Sequence, residues 1–253
     1  MKLLSRSQLK DFLEEKYKQY NRLDFIENDP VSIPHQFSKK QDIEIAGFLT
    51  ATIAWGQRKT IIKNANELIR RMDHAPYNFI LNSAVIDRRS FHDFVHRTFN
   101  GVDCIFFLKS LQHIYKKYNS LEDTFKGQDV KSSILYFRKI FLSITHQTRS
   151  EKHISDPEAN SACKRINMFL RWMVRKDQCG VDFGIWNTIG AHQLMCPLDV
   201  HSGNVARKLG LLNRKQNDWK AVVELTSRLT EFDRNDPVKY DFALFGAGVT
   251  GDV

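Results

Sequence analysis

Ser161-Ala-Cys-Lys164-Arg165-Ile-Asn-Met168-Phe-Leu-Arg171-Trp172-Met-Val-Arg175-Lys176 is a helix by its periodicity. Ile166, Phe169, Leu170 and Met173 recur at the spacing of one buried face, and Lys164, Met168, Arg171 and Arg175 follow one another along a second stripe. The same 3.6-residue period returns along most of the chain. Leu9, Phe12, Leu13, Tyr17 and Tyr20 line a first helix. A break at Asp29-Pro30-Val-Ser-Ile-Pro34-His35 follows, because proline removes a donor and disfavours helix in the residue before it. Asp42 to Ala54 is a buried helix with Ile43, Ala46, Gly47, Leu49, Thr50 and Ile53 facing inward, and Ile61, Ile62, Ala65, Leu68, Ile69 and Met72 start the next beyond Gly56. Further helices are predicted near 88–97, 102–118, 130–144, 159–175, 201–209, 217–232 and 236–246, with polar connectors at 126–130 and 147–160. Alternating strand patterns are scarce, so the expected class is all-α.

Composition narrows the setting. The 253 residues carry 38 Lys and Arg against 29 Asp and Glu, a formal net charge of +9. That excess suits a polyanion, whose bound counterions are released when cations replace them. Cys104, Cys163, Cys179 and Cys196 have no close pair, which fits neither a zinc site nor a disulfide framework. Reduced thiols, a cytoplasmic location, no metal and no organic cofactor are the expectation. Met1-Lys-Leu-Leu-Ser-Arg-Ser-Gln-Leu lacks the apolar core of a signal peptide, and no apolar run is long enough to span a membrane.

Three stretches can carry chemistry. Lys164 opens its helix, where the dipole disfavours a cation and so favours the neutral amine, a nucleophile. In Cys196-Pro197-Leu198-Asp199-Val200-His201-Ser-Gly-Asn204-Val205-Ala-Arg207-Lys208-Leu209-Gly210, Asp199 is placed to cap a helix that Gly210 stops. A carboxylate held there can act as a base or face a developing positive charge. Lys239-Tyr240-Asp241-Phe242-Ala-Leu244-Phe245-Gly246-Ala-Gly248 is a helix with two aromatics that runs into glycines. Taken singly, each has an ordinary reading: a basic surface helix, a good cap, an aromatic core.

Together they resemble the helix-hairpin-helix DNA glycosylase superfamily, in which a helix opening with lysine precedes a Pro-x-Asp-x-His stretch. Pro197-Leu-Asp199-Val-His201 with Arg207-Lys-Leu-Gly is similar to that stretch. Phe48-Leu-Thr-Ala-Thr-Ile-Ala-Trp55-Gly-Gln57-Arg58-Lys-Thr-Ile resembles its DNA-facing helix–turn–helix. The nearest branch is that of the archaeal 8-oxoguanine glycosylases, which share the wide lysine-to-aspartate gap and an Asp-x-x-Leu-aromatic-x-x-Gly helix like Asp241 to Gly248. The chain also resembles a conserved bacterial family, of uncharacterised activity, in which Lys-Arg-x-Asn-Met-Phe-Leu-Arg-Trp-Met-Val-Arg is typical. The likeness covers roughly 43–73 and 161–248 and leaves about 75–155 unmatched.

The resemblance implies two helical lobes, 1–75 plus 210–253 and 76–209, with a cleft between them. It implies a DNA-repair enzyme that flips out a damaged base, an oxidised purine by analogy, and cuts its glycosidic bond, with or without abasic-site lyase activity. Lys164 would be the nucleophile and Asp199 its acid/base partner. Trp55, Met168, Asp241 and Phe245 would line the base pocket. Gln57, Arg58, Arg171, His201, Arg207 and Lys208 would contact DNA. The alternatives are a non-catalytic nucleic-acid-binding protein on the same fold, an enzyme acting on RNA or a modified nucleotide, and a helical protein that binds other proteins. The chain departs from the superfamily in lacking the Leu-Pro-Gly-x-Gly hairpin, replaced by Asp156-Pro-Glu-Ala-Asn160, and in carrying an insertion at Cys179-Gly-Val-Asp182-Phe-Gly-Ile-Trp186. Asn204 stands where many relatives have arginine.

Overall fold

A computed structural model describes residues 4–252; Met1 to Leu3, part of the amino-terminal stretch read above, and Val253 lie outside the described residues. The fold is all-α apart from one small hairpin. In chain order the helices are α1 (Arg6–Tyr20), α2 (Leu23–Glu27), α3 (Lys40–Thr52), α4 (Arg58–Arg71), α5 (Pro76–Asn82) and α6 (Gly101–Tyr115). They continue as α7 (Val130–Phe141), α8 (Lys164–Val174), α9 (Val200–Lys208), α10 (Trp219–Thr230) and α11 (Asp241–Thr250). Among the described residues no helix is long and apolar enough to cross a membrane.

The predicted helices at 102–118, 130–144, 201–209 and 217–232 match α6, α7, α9 and α10 closely. Their starts are set by side-chain caps: Asn100, Asp129, Asp199 and Asp218 each accept from backbone N–H groups of the first turn, as orphan donors require. The helix expected at 88–97 is absent. Asp87–Phe91 is a 3-10 turn, followed by a hairpin of β1 (Val95–His96) and β2 (Phe99–Asn100). Arg97 between the strands has φ of +56°, a left-handed conformation that no helix tolerates. Phe91, Phe94 and Phe99 are all buried, so their spacing imitated a helical face.

The chain divides into two compact units, residues 1–25 with 156–253 and residues 26–155. This differs from the lobes expected at 1–75 plus 210–253 and 76–209. α3 and α4 pack on one another, and α3 packs on α5, so the segment after Ile26 folds with the middle of the chain. In the 26–155 unit the centre is aromatic: Phe48 stacks on Phe107 at 5.9 Å and meets Phe137 and Phe141 at 5.4 Å each. Glu44 is buried there and accepts hydrogen bonds from the Tyr115 hydroxyl at 2.8 Å and the Leu121 N–H at 3.1 Å.

In the other unit Leu9 and Leu13 of α1 enter a core with Val205 and Leu209 of α9, Val222 and Leu225 of α10, and Leu244 of α11. α11 packs closely on α1 and α9. The glycines read as the end of this last helix lie inside it. A Cβ on Gly246 would stand 2.2 Å from the Tyr20 ring, so glycine is needed for the approach of α1. The helix stops at Gly251, which is left-handed at φ of +79°.

Candidate functional site

α8 begins abruptly at Lys164, later than the 159–175 range expected. Asp156 Oδ1 accepts from the N–H groups of Glu158 and Ala159 at 2.9 and 3.2 Å, closing a turn. Asn160 and Cys163 are both left-handed, at φ of +60° and +51°. Non-glycine residues hold that conformation only where their surroundings force it, and such positions concentrate at functional sites. The forcing is visible. Asn160 Nδ2 donates to Asp218 Oδ2 at 3.1 Å, the Trp219 N–H donates to the Asn160 carbonyl at 3.3 Å, and the Cys163 N–H donates to Ser161 Oγ at 3.2 Å. Arg214 in turn pairs with Asp218 and holds its carboxyl well below the usual range. The turn before the lysine is therefore tied to the start of α10.

Lys164 is partly buried in the first turn of α8, with its Nζ 3.4 Å from Met168 Sδ. Among the described residues no carboxylate forms an ion pair with it. Asp199 caps α9 through one oxygen: Oδ1 accepts from the Ser202 N–H at 3.0 Å and from Ser202 Oγ at 3.2 Å. Its Oδ2 accepts no hydrogen bond among the described residues. Asp241 opens α11 and is 6 % exposed. Arg171 Nη1 binds its Oδ2, and Oδ1 accepts nothing among the described residues. Burial raises the Asp241 carboxyl to about 6, Arg171 works against the rise, the Asp199 charge adds to it and the Lys164 charge opposes it. An amine from α8 and a carboxylate at the start of α9 thus lie within electrostatic reach of the Asp241 carboxyl. Each carboxylate is held by one oxygen, and the other accepts no hydrogen bond among the described residues.

Arg171 was expected to face DNA; it does not. It is 5 % exposed, bound to Asp241 and, through Nε at 3.2 Å, to Asp182 Oδ1, with its guanidinium 4.2 Å over the Phe242 ring. Arg175, one turn on, is 1 % exposed and pairs with Asp182 at 3.0 Å, Asp177 at 2.7 Å and Asp236 at 2.8 Å. The two arginines of the second stripe therefore belong to an internal ion-pair array. The insertion supplies part of it. Its Phe183 and Trp186 N–H groups donate to the Trp172 and Met173 carbonyls at 2.8 and 2.9 Å, satisfying acceptors at the end of α8. Trp186 also packs edge-on against Phe169 at 5.4 Å. Asp182 was the residue missed in sequence. A lone acid in a loop carries no signal of two arginines waiting for it.

Arg207 is largely committed too: Nε donates to the Arg214 carbonyl at 2.8 Å and Nη2 to Asn217 Oδ1 at 2.6 Å, fastening the 210–218 loop. His201 and Lys208 are exposed. With Asn204, Arg207, Gly248 and Gly251 they line a groove of about 440 Å3 between α9 and α11. Phe245 is half-buried, its ring 6.3 Å from that of His201 and nearly perpendicular. Met168 is buried at 9 % exposure beside Lys164.

The remaining predicted residues lie in the 26–155 unit. Trp55 is half-buried, with His153 stacked on it at 6.0 Å and His96 edge-on at 5.1 Å. The Trp55 carbonyl bonds His96 Nε2 at 3.0 Å, and burial lowers the His96 pKa. Gly56, at φ of +107°, turns the chain into α4, placing exposed Gln57 and half-buried Arg58 at its amino end. A groove of about 760 Å3 on this unit, lined by Arg70, Arg89, His92 and Asp93 among others, contains none of the predicted site residues, and acids match its cations.

Residues 29–250 match the family described as Protein of unknown function (DUF2400), and the chain belongs to that family. No curated protein and no solved structure matches the chain.

Proposed function

We propose that this protein is a nucleic-acid base-removing enzyme of the helix-hairpin-helix glycosylase type, acting on a damaged, oxidised purine in DNA. The observation that carries the reading is the convergence of Lys164 and Asp199 on the buried carboxyl of Asp241. An amine that begins a helix against a thioether, without a carboxylate partner, is suited to nucleophilic attack once it loses a proton. Asp199 Oδ2 accepts that proton. The Lys164 nitrogen then attacks the sugar C1′, the C1′–N bond breaks, and the base leaves with the bonding pair and takes up the proton held by Asp199. Once that proton has passed to the base, the Asp199 carboxylate faces the positive charge left at C1′ and the attacking nitrogen. The new secondary ammonium gives a proton through Asp199 to the ring oxygen as the C1′–O4′ bond breaks, leaving a protonated imine between Lys164 and C1′, from which β-elimination of the 3′ phosphate can follow.

Met168 lies beside Lys164, Phe245 faces His201, and Asp241 opens α11. An aromatic face and a carboxylate oxygen without a partner suit a planar base carrying N–H donors. His201 and Lys208 supply exposed cationic or hydrogen-bonding groups for the phosphate backbone. The test is borohydride trapping on duplex oligonucleotides carrying 8-oxoguanine or an abasic site. Wild type is expected to give a covalent adduct, Lys164→Gln none and Asp199→Asn a greatly reduced yield. Intact binding without an adduct on either duplex would overturn the imine mechanism and leave a protein that binds nucleic acid without cutting it.

A further inference from the structure

The segment between α8 and α9 ends on a charged contact that capping a helix does not need. Asp182 is 5 % exposed and lies between two arginines one turn apart on α8, taking Arg171 Nε on Oδ1 and Arg175 Nη1 on Oδ2. Arg175 has two further acids, Asp177 and Asp236, so its charge is matched without Asp182. Arg171 pairs with Asp182 and with Asp241, and both are buried. One guanidinium is therefore shared between a structural acid and the acid of the candidate site.

We infer that Asp182 is a positioning residue for Asp241, dividing the Arg171 guanidinium between two carboxylates and so deciding which oxygen Asp241 presents to a ligand and how firmly it is held as an acceptor. The significance of Asp241 as a ligand-facing group rests on the functional reading above; the coupling itself does not. Arg171 donates to Asp182 through Nε and to Oδ2 of Asp241 through Nη1, and Oδ1 of Asp241 accepts nothing among the described residues. The charged or titratable groups that act on Asp241 are Arg171 and Lys164 from α8, Asp199 from α9, Asp182 from the insertion, and Cys196 before α9, whose thiol feels the Asp241 charge. Asp182 and Asp199 disfavour ionisation of Asp241, and Arg171 and Lys164 favour it. Asp241 is balanced by these neighbours so that its second oxygen can serve as acceptor or, once protonated, as donor near neutral pH.

The decisive experiment is a carbon-13 NMR titration of the side-chain carboxyls in the full chain, the Asp241 resonance being assigned by its loss in Asp241→Asn. In Asp182→Asn one carboxylate that shares Arg171 with Asp241, and that itself disfavours ionisation of Asp241, is removed, and the Asp241 midpoint is expected to move to lower pH by about one pH unit. A purely structural role for Asp182 would lower the melting temperature and leave that midpoint unmoved, which would overturn the inference. Should Asp182→Asn fail to fold, Asp182→Glu keeps the charge and displaces it by one methylene. A midpoint unchanged in that variant, with Arg171 Nε shifted to the new carboxylate, would equally overturn it. The titration needs no substrate. A shifted midpoint in a protein that gives no borohydride adduct would keep the coupling and discard the lyase, whereas an adduct with an unmoved midpoint would do the reverse.

Discussion

Replacing Asp241 with asparagine should make the protein more stable at pH 7.5 and not at pH 5. The Asp241 carboxyl is raised from 3.8 to about 6 by burial. Since its folded value lies above its unfolded one, protonation stabilises the fold. That contribution is complete below about pH 3.8 and is lost as pH rises through about 6. Holding Asp241 ionised at pH 7.5 therefore costs about 3 kcal/mol relative to the neutral acid. Asparagine keeps an oxygen for Arg171 Nη1 to bind, and Arg171 keeps Asp182 as its counter-charge. Some of the gain is offset because a charge-assisted bond becomes an ordinary one. The net expectation is a gain of about 1–2 kcal/mol at pH 7.5 that shrinks to near zero at pH 5. Urea unfolding of both proteins at the two pH values gives the difference directly, and the other titrating groups cancel in it. Equal destabilisation at both pH values would refute the reasoning, because Asp241–Arg171 would then be a net structural asset.

Two further substitutions test how the site is held. Gly246→Ala brings a Cβ into the Tyr20 ring where α1 crosses α11, and should cost about 1–3 kcal/mol in the same unfolding assay. Ser202→Ala removes the hydroxyl that binds both the Asp199 backbone N–H and its Oδ1. It should cost about 1 kcal/mol of stability. In the borohydride assay it should lower the adduct yield without abolishing it, since Asp199 keeps the Ser202 N–H at 3.0 Å.

The helices were legible in the sequence wherever one face is buried and the other solvated. α4 shows Ile61, Ala65, Leu68 and Ile69 inside and Lys59, Asn66 and Arg70 outside, and its pattern is unambiguous. The 88–97 segment was misleading because three buried phenylalanines spaced three to five apart satisfy a helical template, whereas its conformation is decided by the left-handed Arg97. The division into units was illegible for a different reason. It depends on which helices meet in space, and periodicity says which face is apolar but not against what. In the candidate site, Lys164 and Asp199 could be named from local context, a helix start and a cap, whereas Asp241 was named only through the resemblance, inside a helix expected at 236–246 that in fact begins at this residue. Arg171 could not be placed correctly, since the acids that bury it stand 11 and 70 residues away. On a basic helix an arginine facing two distant aspartates looks the same as one facing a phosphate.

The most direct test of the account is to find where the covalent bond forms. Wild-type protein reduced with borohydride on an abasic-site duplex would be digested and the modified peptide identified by mass spectrometry. The account predicts a single modification, on Lys164 in the first turn of α8. Modification at another lysine or at the chain's amino terminus, with Lys164 unmodified, would contradict it.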